Sequence, residues 1–181
     1  MLDFIQQIDR NIIDFIHYNL QHETANKVMA FLTSIGEYGF IWIILIIIMF
    51  LSEKHRKIAC IAAMSFLLSR LIGAQILKPL ISRPRPFHEL DYLSIYISPP
   101  TTYSFPSGHA LSSFSTAWVV MELIEELHYK ALVIILAVLI ASSRIYLMVH
   151  YPSDTLAGIA IGIMTSYFAL FIFRETIVER R

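Results

Sequence analysis

The sequence predicts an all-α protein, a polytopic bundle of five transmembrane helices preceded by an amphipathic N-terminal helix. Hydrophobic residues make up 56% of the 181-residue chain and charged residues only 15%, whereas soluble domains average about 45–50% and about 25%. Five windows are also long and apolar enough to cross a bilayer, which takes about 20 residues. The composition excludes disordered and collagen-like classes, and the length predicts a single domain over residues 1–181.

The five predicted spans make up a core that extends over residues 28–173. They are predicted at residues 28–51, 58–77, 107–127, 131–150 and 154–173. The last is the clearest, because no charged residue follows Asp154 within it. The second and fourth spans each carry one arginine, Arg70 and Arg144. A charge inside a bilayer is costly, so both arginines need a structural or functional reason.

The first 22 residues have a different pattern from the spans. Polar side chains such as Asp9 interrupt the segment, while apolar residues recur at helical spacing at Ile5, Ile8, Ile12, Ile16 and Leu20. This pattern predicts an amphipathic helix that lies in the membrane interface. The alternative is a short, polar first span, which would give six spans in total.

The distribution of basic residues predicts the orientation of the chain in a plasma or inner membrane. The link at 52–57 holds three Lys or Arg residues, and the C-terminus holds Arg174, Arg180 and Arg181. With five spans, both segments and the turn at 128–130 lie in the cytoplasm. The loop at 78–106 and the turn at 151–153 then lie outside. This outer loop is itself basic, which indicates anion binding rather than topology.

Charge and cysteine content exclude several functions. Lys plus Arg and Asp plus Glu both number 14, so nothing indicates a nucleic-acid partner. The single cysteine, Cys60, excludes a disulfide framework and a cysteine-based metal site.

Three polar stretches reach the same outer face of the predicted bundle. They hold cations, two histidines, one carboxylate and a Ser-Gly pair. These residues are Lys78, Arg85, Ser107, Gly108, His109, Arg144, His150 and Asp154. Arginine can bind phosphate oxygens in bidentate fashion, and lysine adds a point charge. Ser107 and Gly108 lie where a helix begins, with Pro106 at its start, and free N–H groups there bind anions. These residue types suit phosphoryl transfer, which depends on positioning and on stabilising negative charge.

Two histidines allow a two-step reaction in which one attacks phosphorus and the other protonates the leaving oxygen and then activates water. Asp154 lies four residues after His150. Pro152 predicts a helix start between them, which places the Asp154 carboxylate near a helix N-terminus, where the helix dipole favours its ionised form. It can then accept a hydrogen bond from one ring nitrogen and fix the tautomer of the other. Cations outnumber the carboxylates and histidines, so no metal or other cofactor is predicted.

At these positions the sequence resembles the type 2 phosphatidic acid phosphatase family. The family pattern Lys-x6-Arg-Pro, Pro-Ser-Gly-His and Ser-Arg-x5-His-x3-Asp is met with every spacing kept, at Lys78, Arg85, Pro86, Pro106 to His109, Ser143, Arg144, His150 and Asp154. The resemblance implies that His150 is the nucleophile, Asp154 its partner and His109 the acid and base. It also implies that phosphate is bound by Lys78, Arg85, Ser107, Gly108, His109 and Arg144, and that no metal is required.

The resemblance predicts a membrane phosphatase that acts on a lipid phosphate or diphosphate at the outer leaflet, with the bilayer and the lipid as its partners. The small size resembles bacterial undecaprenyl-diphosphate phosphatases, whose product is undecaprenyl phosphate. Phosphatidylglycerophosphate, phosphatidic acid and lipid A 1-phosphate remain alternative substrates. A non-catalytic lipid or anion binder, or a transporter, is the alternative from another class. The oligomeric state is not predicted.

Three further charged residues lie outside the family pattern. Arg83 has no place in it and is predicted to contact lipid head groups at the lip of the site. Glu37 and Arg70 are predicted at similar depths from the outer surface. Glu37 lies about 13 Å from residue 28, and Arg70 lies about 12 Å from Lys78, at the α-helical rise. An ion pair between them would act as a packing clamp or, alternatively, form the floor of the phosphate site.

Overall fold

The computed structural model describes residues 2–90 and 93–174, and the regular elements in these ranges are all helical. The helices are α1 (Leu2–Asn19), α2 (Glu23–Ile35), α3 (Phe40–Leu51), α4 (Arg56–Arg70), α5 (Lys78–Ile81), α6 (Pro86–Glu89), α7 (Gly108–Leu123), α8 (Leu127–Tyr146) and α9 (Pro152–Ile172). A 3₁₀ turn at Glu37–Gly39 joins α2 to α3, and a π-helical stretch at Leu71–Leu77 joins α4 to α5. The predicted all-α class is confirmed. Arg180 and Arg181 of the predicted cytoplasmic tail lie outside the described residues.

Four helical segments are long and apolar enough to cross a membrane. They are Glu23–Leu51, Arg56–Glu89, Leu127–Tyr146 and Pro152–Ile172, and they contain most of the first, second, fourth and fifth predicted spans. The predicted end of the fourth span at residue 150 is wrong, because α8 ends at Tyr146 and residues 147–150 form a turn. This turn carries His150 out of the helix and toward the loop that precedes α7.

The third predicted span corresponds to α7, which is the central helix of the bundle. It has 16 residues, about 24 Å at the α-helical rise, and it packs against α4, α8 and α9. Residues 110–117 are all buried, and four of them are Ser or Thr. The chain turns at 124–126, so the predicted turn at 128–130 lies within the first residues of α8 instead.

Two glycines allow α9 to approach α7 closely. A β-carbon on Gly158 would lie 2.7 Å from the carbonyl oxygen of Ser107, and one on Gly162 would lie 2.9 Å from the backbone nitrogen of Ser115. Small residues at such positions let membrane helices pack backbone to backbone. The packing fixes the start of α7 against the start of α9, where the second and third motifs lie.

The first predicted span is interrupted halfway along its length. Tyr38 and Gly39 have positive φ angles of 52° and 79°, so the chain turns between α2 and α3. A side chain on Gly39 would also meet the Phe66 ring at 2.5 Å. The interruption places Glu37 and Tyr38 in the wall of a cavity rather than on a continuous helix face.

Helix α1 is amphipathic and is not among the four spanning segments. It contacts α8 and α9 and buries Asp9, Ile13 and Ile16. Several large apolar side chains face outward, at Phe4, Ile5, Ile8, Ile12 and Phe15. Ile5, Ile8, Ile12 and Leu20 of the predicted apolar face are exposed, whereas Ile16 and the acidic Asp9 point into the protein.

Candidate active site

A cavity of about 770 Å³ opens between the end of α2, the π-helical stretch, the loop that precedes α7 and the start of α7. Six of the predicted site residues line it, namely Lys78, Arg85, Gly108, His109, Arg144 and His150. The two others, Ser107 and Asp154, are fully buried. The three motifs thus meet at one cavity, although they lie far apart in the sequence.

His150 lies in the turn between α8 and α9 and is 2% exposed. Its Nε2 lies 3.1 Å from a guanidinium nitrogen of Arg85. Its Nδ1 lies 3.4 Å from the hydroxyl of Ser104 and 3.7 Å from the carboxylate of Asp154. The distance of 3.7 Å exceeds that of a hydrogen bond, so the predicted direct bond between His150 and Asp154 is absent.

Ser104 connects His150 with Asp154. Its hydroxyl donates a hydrogen bond of 2.5 Å to Oδ2 of Asp154, which leaves its oxygen free to accept from Nδ1–H of the imidazole. Asp154 also accepts from the N–H of Tyr151 at 3.0 Å. Ser104 is not among the predicted site residues, and its only signal in the sequence is its position two residues before Pro106.

The surroundings of His150 favour a neutral imidazole. Burial, followed by the positive charges of Arg85 and Arg144, lowers the pKa of His150 well below its usual value. With Nδ1–H directed toward Ser104, the lone pair lies on Nε2. This nitrogen can therefore act as a nucleophile.

Arg85 is held rigidly by the backbone around it. Its guanidinium donates to the carbonyl oxygens of Thr102 at 2.7 Å, Val149 at 2.6 Å and Tyr103 at 3.2 Å, and it is 3% exposed. The amine of Lys78 donates to the same Tyr103 carbonyl at 2.5 Å. Both cations therefore fix the end of the loop that precedes α7 while they line the cavity.

Thr33 of α2 anchors the two functional groups on the opposite side. Its hydroxyl accepts a hydrogen bond from Arg144, and its carbonyl oxygen lies 3.2 Å from Nε2 of His109. The Nε of Arg144 is buried and has no partner among the described residues. A buried donor without a partner is costly, so this atom is available to an anion in the cavity. A threonine in an apolar helix gives no sequence signal for this role.

The start of α7 presents backbone donors to the cavity. Ser107 is the N-cap, its N–H donates to the Asp154 carbonyl at 3.0 Å, and its buried hydroxyl has no partner in the described part of the chain. Gly108 and His109 follow as the first helical residues, whose N–H groups lack partners within the helix. Pro106 precedes the cap, so its predicted place at the first helical position is wrong.

Arg83 does not lie at the lip of the site as predicted. It donates to Asp154 at 2.6 Å, to the Ser153 hydroxyl at 2.7 Å and to Asp9 of α1 at 2.7 Å. Its guanidinium also stacks on the Tyr151 ring, 4.1 Å from the centroid. Two buried carboxylates in this position need a cation between them. Arg83 therefore joins the N-terminal helix to the carboxylate behind His150.

Glu37 and Arg70 both line the cavity. No ion pair links them among the described residues, so the predicted clamp is not formed. Their positions fit the alternative that they form part of the floor of the site.

The cavity combines four cations with an unprotonated imidazole nitrogen and a helix N-terminus, which suits attack on a bound phosphate. Within residues 2–90 and 93–174, His, Cys, Asp and Glu form no group of three that could hold a metal ion.

Comparisons with known proteins give consistent results. The family described as PAP2 superfamily matches residues 58–177. The undecaprenyl-diphosphatase of Sulfolobus acidocaldarius is 34% identical over 161 residues, which cover 89% of this chain and 76% of that protein. The crystal structure of Aquifex aeolicus LpxE aligns with a TM-score of 0.76 and 28% identity, over 91% of this chain and 93% of that chain. A transmembrane PAP2 type phosphatidylglycerolphosphate phosphatase from Bacillus subtilis has the same fold, with a TM-score of 0.78, 24% identity and coverage of 94% and 87%.

Proposed function

Because the chain belongs to the PAP2 superfamily and is a multi-pass membrane phosphatase of lipid phosphates, we propose that it hydrolyses undecaprenyl diphosphate to undecaprenyl phosphate through a phosphohistidine on His150. The orientation of His150 carries the proposal. Its Nε2 lies beside Arg85 in the cavity wall, while Nδ1 faces Ser104 and the carboxylate behind it. A binder or transporter would not require this orientation.

In the first step, Nε2 of His150 attacks the terminal phosphorus and the bond to the leaving oxygen breaks. The migrating phosphoryl group spreads negative charge over its equatorial oxygens. The groups that stabilise this charge are Lys78, Arg85, Ser107, Gly108 and Arg144. Two of them, the Ser107 hydroxyl and Nε of Arg144, are buried donors that have no partner among residues 2–90 and 93–174. A bound phosphate would supply the missing acceptor.

His109 acts in both halves of the reaction. It protonates the leaving oxygen in the first step and removes a proton from water in the second, when water attacks the phosphohistidine. Its Nε2 interacts with the Thr33 carbonyl in this structure, which orients the ring beside Arg144. Asp154 stabilises the positive charge that develops on His150 during the reaction, through Ser104.

The proposed site faces the outer leaflet. Exposed basic residues at Lys54, Arg56 and Lys57 favour a cytoplasmic position for the loop at 52–57. Lys54 forms an ion pair of 3.1 Å with Glu126, which lies in the turn between α7 and α8. The loop at 52–57 and this turn therefore lie at the same end of the bundle, opposite the cavity. A lipid can then present its head group while its tail stays in the bilayer.

The substrate is tested by measuring phosphate release from a panel of lipids by the purified protein. The panel contains undecaprenyl diphosphate, phosphatidylglycerophosphate, phosphatidic acid and lipid A 1-phosphate. The proposal predicts the highest kcat/KM for undecaprenyl diphosphate. A higher kcat/KM for any of the monoesters would refute the proposed substrate while leaving the phosphatase activity intact.

A further inference from the structure

One cation of the cavity has no role in the reaction described so far. Arg70 lines the cavity together with Lys78 but lies outside the three motifs. Its guanidinium has no hydrogen bond or ion pair with any residue in 2–90 and 93–174. An arginine at this depth in a spanning segment is costly unless it binds something.

Arg70 lies on the side of the cavity that holds His109. One of its Nη atoms is 3.8 Å from the point where a β-carbon on Gly108 would stand, directly beside the first turn of α7. Its charge interacts with both His109 and Lys78. The charges with the largest effect on His150 belong instead to the motif cations. Arg70 is therefore placed near the proposed acid rather than near the nucleophile.

In an in-line transfer, the nucleophile and the leaving group lie on opposite sides of the phosphorus. The nucleophile enters opposite the leaving oxygen, so the leaving group lies toward His109 and hence toward Arg70. We propose that Arg70, together with the start of α7, binds the phosphate that remains on the leaving group. This inference rests on the proposed function and deepens it, because it makes the site selective for lipid diphosphates over monoesters.

The chemistry of the two substrate classes differs at this position. With a diphosphate, the bond from Nε2 of His150 to phosphorus forms, the bond to the bridging oxygen breaks, and its electron pair stays on the departing lipid monophosphate. Arg70 stabilises the charge that develops there through charged hydrogen bonds. With a monoester, the leaving group is an alkoxide, which depends on the proton from His109 more strongly than a departing phosphate does. It offers no phosphate to Arg70.

Glu37 is the acidic residue with which Arg70 could otherwise pair. It lines the same cavity, but it has a favourable electrostatic interaction with Arg144 and no ion pair with Arg70. The Arg70 guanidinium therefore remains available to substrate.

The test compares Arg70→Gln with the wild type on undecaprenyl diphosphate and on phosphatidic acid. The loss of charged hydrogen bonds predicts that kcat/KM for the diphosphate falls about 10- to 100-fold, while that for phosphatidic acid changes by less than about threefold. Arg70→Lys should restore part of the loss. Lys57→Gln, which removes an exposed cation far from the cavity, is the matched control and should change neither value.

Inhibition provides a second readout that does not depend on turnover of the lipid. Arg70→Gln should raise the Ki of methylenediphosphonate and leave that of orthophosphate unchanged. Equal slowing of both lipids would refute the subsite, while diphosphate hydrolysis by the wild type would leave the proposed function standing. If the wild type hydrolyses only monoesters, the proposed substrate fails, and only an Arg70-dependent Ki for methylenediphosphonate would still support the subsite. The same loss of selectivity in Glu37→Gln would mean that Arg70 acts through Glu37, which would also refute it.

Discussion

Ser104→Ala tests the connection between the nucleophile and its carboxylate. The Ser104 hydroxyl lies 2.5 Å from Asp154 and 3.4 Å from Nδ1 of His150, so the substitution removes both contacts. A hydrogen bond to a charged group contributes about 1.5–3 kcal/mol. If that energy is realised in the transition state, kcat falls about 10- to 150-fold.

KM should remain nearly unchanged, because Ser104 is fully buried behind the cavity wall and does not line it. Asp154 keeps its bonds to Arg83 and to the Tyr151 N–H, so the variant should still fold. Steady-state phosphate release gives kcat and KM, and thermal unfolding in detergent checks the fold. Ser94→Ala, at an exposed position of the loop that precedes α7, is the control. A folded Ser104→Ala protein with unchanged kcat would refute the connection.

Three further predictions follow from the network, the charge of the cavity and the orientation. Asp9→Ala removes one of the two carboxylate partners of Arg83, in an ion pair of 2.7 Å. Because Arg83 keeps Asp154 as a partner, the variant loses a charged hydrogen bond worth about 1.5–3 kcal/mol of stability, and kcat should fall. Equal unfolding temperatures for this variant and Asp3→Ala, an exposed control, would contradict the role of α1. EDTA should leave activity unchanged because the chain's own cations neutralise the phosphate, whereas loss that a divalent ion restores would overturn this view. On a cysteine-free background, a cysteine at Ser94 should react with an impermeant thiol reagent in intact cells and one at Glu53 only after lysis, and the reverse pattern would place the site in the cytoplasm.

The residues of the site could be predicted because the motifs lie at helix ends. Lys78 follows the end of the second predicted span, whereas Gly108 and Asp154 stand in the first turns of α7 and α9. Alternation of span direction places these three positions on one face. The hydropathy pattern similarly predicted most of the bundle. The predicted bounds were less accurate for α7, which is enclosed by other helices. Its apolar residues are buried against protein, so the length of the apolar window does not give the length of the helix.

The supporting residues could not be predicted, because their roles depend on contacts between distant segments. Thr33 meets His109 across 76 positions, Ser104 meets Asp154 across 50, and Arg83 meets Asp9 across 74. A serine, a threonine or an arginine in such positions has no local pattern that distinguishes it. These contacts form because α1, α2 and the loop before α7 pack against the motif helices.

The central claim, a phosphohistidine at His150, is tested most directly by trapping the intermediate. Rapid acid-free quenching of the enzyme with lipid labelled in its terminal phosphate should yield a labelled protein whose phosphate is stable to alkali and lost in acid. Mass spectrometry should locate it on His150, and His150→Ala should lose both the label and turnover while remaining folded. Label on another residue, or retention by His150→Ala of more than about a tenth of the activity, equivalent to about 1.4 kcal/mol in the barrier, would contradict the mechanism.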